Sequence, residues 1–161
     1  MIDQLSIWER SKSLLVFYVF ENHEEFKLFR DSLDEVLIDS SIKRLKVIIL
    51  IRDPKESVLK HSLFAYFCEK DIAVFGNKIK KRSKNDGGED LDIIRGTQFD
   101  LFLCFGCFST KVLKWLTLIN ATKKIGINSE ENSFFDMNLK SSNGFTDKSV
   151  IFTIEMLNKI I

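Results

Sequence analysis

The sequence predicts a three-layer α/β domain: a mostly parallel sheet of five to six strands with helices on both faces. Three observations carry that expectation. Solid apolar runs rich in β-branched and aromatic residues alternate with segments whose apolar residues recur at three- and four-residue steps. The runs are nearly continuous, which is how strands buried on both faces read. Cap and turn residues mark each change of period. The length of 161 residues suits one domain over 1–161, with no linker or internal repeat.

Residues 1–12 carry Ile2, Leu5, Ile7 and Trp8 among polar residues, an N-terminal arm or short helix. Leu14–Phe20 is the first strand. Asn22 with Glu25 three residues on is a capping-box pattern, and Phe26, Phe29, Leu33, Val36 and Leu37 make a helix to about Ile38. Lys46–Ile51 is the second strand. Asp53 as N-cap and Pro54 at the first helical position then open a helix, or a partly irregular segment, with Val58, Leu59, Leu63, Phe64 and Phe67 on its face. Asp71–Phe75 is expected as the third strand, closed by Gly76. Residues 77–98 form a long polar loop that is mobile, functional or conceals a short helix. Phe99–Phe105 is the fourth strand. Gly106 ends it, and Ser109 or Thr110 caps a helix with Val112, Leu113, Leu116 and Ile119. Lys123–Ile127 and Phe134–Leu139 are the fifth and sixth strands, and Thr146 caps a final helix through Val150, Ile154 and Leu157. Strand–helix alternation of this kind is Rossmann-like.

Composition narrows the function classes. With 45% hydrophobic and 29% charged residues the chain has the apolar surface that disordered chains lack. A formal charge of +1 supplies no whole-protein field for nucleic acid or anionic membrane. Leu14–Phe20, the longest apolar run, is far shorter than the ~20 residues that span a bilayer, and no cleavage site follows it. Cys68, Cys104 and Cys107 are an odd number without framework spacing, so a reduced, cytoplasmic protein without a membrane partner is expected. The unusual count is 15 Phe against 2 Tyr and 2 Trp.

In open parallel sheets ligands bind at the carboxyl ends of strands. That rule selects Glu21–His23, Arg52–Lys55, Gly76–Lys78, Gly106–Thr110 and Asn128–Ser129. The ligand-binding candidates are Gly106, Ser109, Thr110, Asn128, Asp53 and Asn77. A glycine turn opening a helix presents free N–H groups to an anion, with hydroxyls alongside. Ordinary capping also accounts for Ser109, and neither G-x-G-x-x-G nor a P-loop is present. Cys104-Phe-Gly-Cys107 has redox-pair spacing, but the only proline, Pro54, lies upstream, where it cannot serve as the downstream proline of a thioredoxin-like site. No four-ligand zinc pattern includes His23 or His61, and no metal or other cofactor is expected. Lys78, Lys80, Lys81, Arg82 and Lys84 form a basic loop, which Asp86, Glu89, Asp90 and Asp92 neutralise at long range. A solvated loop of mixed charge is favoured over nucleic-acid contact. Asp90-Leu-Asp92 matches the carboxylate pair of metal-dependent sugar transfer in two letters only. Phe108, Phe134, Phe135 and Phe145 lie at or near turns and are the interface candidates, since an exposed patch of them would mark a protein partner or homo-oligomer.

Two resemblances rest on the second half. Lys70-Asp-Ile-Ala-Val-Phe-Gly76, Phe99-Asp-Leu-Phe-Leu103, Leu113-Lys-Trp-Leu116 and Phe135-Asp-Met-Asn-Leu139 occur in the order and spacing of an uncharacterised family of short α/β proteins from Bacteroidota, which the chain resembles over about 64–161. That family implies the fold and brings no activity. Phe99–Leu103 and Lys124-Ile-Gly126 also resemble the N-terminal half of heptosyltransferase-like glycosyltransferases. This implies half of that architecture, without the domain that holds the sugar-nucleotide donor. The expectation is a non-enzymatic binding or interaction module, and the alternative is a small anion- or nucleotide-binding domain that uses the strand-end loops.

Overall fold

A computed structural model describes residues 4–52, 64–72, 91–129, 133–140 and 147–161. Its centre is a six-stranded, all-parallel sheet in the order β3-β2-β1-β4-β5-β6. The strands are β1 (Ser13–Val19), β2 (Arg44–Ile51), β3 (Phe64–Cys68), β4 (Gln98–Phe105), β5 (Asn120–Ile127) and β6 (Met137–Leu139). The helices are α1 (Ile7–Arg10), α2 (His23–Leu37), α3 (Leu91–Gly96), α4 (Thr110–Leu116) and α5 (Asp147–Leu157). This is the Rossmann-like arrangement that the solid apolar runs predict.

Strand periodicity splits the core in two. Leu14, Val16 and Tyr18 of β1 join α1, α2 and α5 on one face. Leu15, Phe17 and Val19 join α3, α4 and the 133–135 turn on the other. All seven residues of β1 are buried because the strand has neighbours on both edges and helices on both faces. From β1 the chain moves outward to β2, and from β4 it moves the other way to β5. Right-handed crossovers therefore put α2 and α4 on opposite faces.

Polar clamps set the sheet at its amino end and its β6 edge. Asp100 Oδ2 accepts from Lys12 N at 2.8 Å and Ser13 N at 3.2 Å, while Asp100 N donates to Ser13 Oγ at 2.8 Å. Asp136 does the same for β5: its carboxylate accepts from Lys124 N at 2.8 Å and its own N–H donates to Lys124 O at 2.7 Å. The arm folds as α1, with Ser6 and Glu9 forming a reciprocal capping box.

Two sequence expectations are corrected. Phe64 and Phe67 belong to β3 and not to a helix face. The segment Phe64-Ala-Tyr-Phe-Cys68 pairs in register with Val47–Ile51, and three- and four-residue spacing cannot separate a short buried strand from a helix when it rests on a few large residues. Among the described residues the third strand is therefore Phe64–Cys68, ahead of the expected Asp71–Phe75. Residues Glu69–Asp71 form a 3-10 turn in which the Asp71 carboxylate accepts from Cys68 N at 2.8 Å, and Ile72 keeps a single bridge. The rest of the Pro54 segment and residues 73–75 lie outside the described residues. The long polar loop conceals a short helix, α3, in its last part.

Both tyrosines of the chain are held as neutral phenols. Tyr18 stacks on Phe29 with centroids 4.1 Å apart. Burial raises its ionisation well above the ordinary tyrosine range, and Glu25 and Glu21 add to the effect. Burial pushes Tyr66 up to about 12, with Arg30 pulling the other way. A folded-state value above the unfolded one (about 10) gives stability that is complete below that pH and is lost as pH rises toward the folded value. Titration of tyrosinate absorbance is expected to show no step near pH 10 in the native chain and a normal step in urea. A native step for both residues near pH 10 contradicts this.

Candidate functional site

In a sheet of this strand order, ligands bind outside the carboxyl ends of the strands where the order reverses. Here that point lies between β1 and β4. From β1 the chain runs through Phe20, Glu21 and Asn22 into α2, and from β4 through Gly106–Ser109 into α4.

The β4 end is built by a glycine. Gly106 takes φ 108°, a conformation that side-chain-bearing residues rarely adopt, and its N–H donates to Ile127 O at 3.1 Å. The turn leaves Cys107 exposed and folds the half-buried Phe108 ring edge-on to Phe17, with centroids 5.4 Å apart. Ser109 is the N-cap of α4: its Oγ accepts from Val112 N at 3.3 Å. The same hydroxyl donates to Glu69 Oε1 at 2.7 Å. Glu69 is the first residue after β3, two strands beyond β1, and its carboxylate meets the start of α4 through this bond.

The β5 end is locked to it. Asn128 adopts φ 53°, its N–H donates to Leu139 O at 2.9 Å, and its carbonyl accepts from Cys107 Sγ at 3.3 Å. Buried Ser129 shares its one hydroxyl hydrogen between Gly106 O at 2.7 Å and Cys104 O at 3.2 Å, tying the residue after Asn128 to the end of β4. Burial drives the Cys104 thiol far above its ordinary range, with Ser129 pulling down and Cys107 pushing up. A thiol held protonated in this way is a poor nucleophile. On the other side of the reversal Arg52 pairs with Glu21 at 2.7 Å, and Asn22 caps α2 by accepting from Glu25 N at 2.8 Å.

Gly106, Ser109, Thr110 and Asn128 thus meet at the carboxyl ends of β4 and β5, where Thr110 is exposed and Ser109 is engaged on both sides of its hydroxyl. Asp53, Asn77 and the basic loop Lys78, Lys80, Lys81, Arg82 and Lys84 lie outside the described residues, as do His61, Asp90 and Phe145. His23 opens α2 with its ring against Phe20, centroids 5.1 Å apart. Sequence reasoning passed over Glu69, because an expected third strand at Asp71 left it in a connecting segment; a strand at Phe64–Cys68 puts it at a strand end. Among the described residues no cluster of three or more His, Cys, Asp or Glu is poised for a metal.

The exposed phenylalanine patch is not found among the described residues. Phe135 is buried, and Phe134 and Phe108 are half-buried against the α3–α4 side of the core. Phe134 lies between Phe102 and Phe135, under Lys124 Nζ at 4.8 Å from its ring centre. The 133–135 segment ahead of β6 packs on that face of the sheet and sets both rings against the core. No described helix is long and apolar enough to cross a membrane.

No family model, curated protein or solved structure matches the chain.

Proposed function

We propose that the chain is a non-enzymatic α/β binding module that acts through its outer helical surfaces. One observation carries this reading. At the reversal point, where sheets of this order take anionic ligands, the position before α4 is held by the chain's own Glu69 carboxylate on Ser109, 2.7 Å away. An external phosphate at that place has to displace a bonded carboxylate and forgo the Ser109 hydrogen. The second reading is an anion- or nucleotide-binding domain related to half of a glycosyltransferase architecture. It is favoured by the strand order, which is that of dinucleotide-binding sheets, an argument from fold alone.

Thermal unfolding against inorganic phosphate, nucleotides and sugar phosphates separates the two. A ligand present at a hundred times its Kd stabilises by about 2.7 kcal/mol, which for a chain of this size is roughly 5–10 °C in Tm. The native chain is expected to show no such shift. Saturable stabilisation that disappears in Ser109→Ala overturns the module reading in favour of the second.

A further inference from the structure

The module reading leaves open which outer surface binds and what covers it. α2 buries Phe26, Phe29 and Leu33 and turns a single stripe to solvent at three- and four-residue steps. The stripe holds four exposed carboxylates, Glu24, Asp31, Asp34 and Glu35, against one exposed lysine. Leu28 and Ile38 lie on it, 38% and 77% exposed. A solvated helix usually mixes both signs. The last turn of α2 carries Asp34 and Glu35 and no basic residue, at the end where the helix dipole favours cations. The end of the helix is thus unfavourable by itself, and a cationic, partly apolar surface relieves it.

The chain carries such a surface on its other side. α4 buries Val112, Trp115 and Leu116 against the opposite face of the sheet. Outward it presents Lys111 and Lys114, with Leu118 47% exposed in the turn that follows, and no carboxylate lies on the helix.

We propose that the acidic stripe of α2 docks on the lysine stripe of α4 in a second copy of this chain. The proposal rests on the binding-module reading and names its partner. Because α2 and α4 cover opposite faces, each copy keeps one free stripe after docking. The contact is heterologous and propagates instead of closing as a two-fold dimer.

Sedimentation of the full chain over a range of concentrations and salt tests this. At low salt the mean mass is expected to rise with concentration past that of a dimer. It should fall to the monomer as the screening length drops from ~10 Å at 0.1 M to ~3 Å at 1 M. Asp34→Lys with Glu35→Lys, and separately Lys111→Glu with Lys114→Glu, give two variants that each present like charge on both stripes. Each is expected to stay monomeric alone, and the two to co-assemble when mixed, since each then supplies the stripe the other lacks. Circular dichroism checks that both variants are folded. A wild-type chain that is monomeric at every salt concentration, or assembly that both charge changes leave intact, overturns self-docking. Either result leaves the module reading to the ligand titration, which fails on a different readout.

Discussion

Phe17→Ala is expected to cost about 3–5 kcal/mol, as full truncation of a buried phenylalanine does, and to lower Tm by roughly 6–20 °C. Phe17 is wholly buried at the centre of β1. Its ring meets Phe67 of β3 at 6.2 Å and Phe108 at 5.4 Å. Truncation removes one ring from the middle of three that join β3, β1 and the β4–α4 turn. Phe67 and the β1 backbone are held by strand pairing, so the gap closes only in part. Phe17→Leu retains most of the volume and is expected to cost well under half as much. Equilibrium urea unfolding of the two variants measures the difference. A cost below about 1 kcal/mol for Phe17→Ala is incompatible with this packing.

Gly126→Ala is the second large effect, and here the damage comes from a single added methyl. Gly126 lies in β5 beside β6, and a Cβ at that position meets Phe135 Cδ2 at 2.9 Å and Asn138 Oδ1 at 3.0 Å. Both neighbours are constrained. Phe135 is buried, and Asn138 is paired in register opposite Gly126. Overpacking of this kind costs about 1–3 kcal/mol. Phe135→Leu, which removes ring atoms from that contact, is expected to be destabilising alone. In the double variant the two costs should sum to less than their separate values by about 0.5 kcal/mol or more, the signature of residues in contact. Strict additivity excludes the steric account.

Both effects arise at contacts that no local pattern shows. Residues 14–20 were legible as a buried strand because continuous β-branched and aromatic content has few other solutions. Asn22 was legible as a cap because its side chain bonds a residue three positions away. Ser109 was legible as a cap for the same reason, but its second bond, to Glu69, spans 40 positions and two intervening strands. That bond decides whether the hydroxyl is available to a ligand. β3 was misplaced because Phe64 and Phe67 satisfy helical spacing by coincidence, and only pairing with β2 settles the period.

The phenylalanine surplus shows the same division. The sequence by itself determined that a large apolar core exists and that parallel strands alternate with helices, because burial on both faces and 3.6-residue periodicity are local constraints on residue type. Which phenylalanines that core takes in was decided by tertiary structure. Phe108, Phe134 and Phe135 sit at turns, where periodicity carries no information, and they are covered because the Gly106 turn and the 133–135 segment set them against the α3–α4 face. Among the described residues every phenylalanine is buried or half-buried. The outward surface is instead the acidic stripe of α2 and the lysines of α4. Local spacing puts each on the outer side of its helix. Their placement on opposite faces follows from the reversal of strand order between β1 and β4, which a linear sequence does not contain.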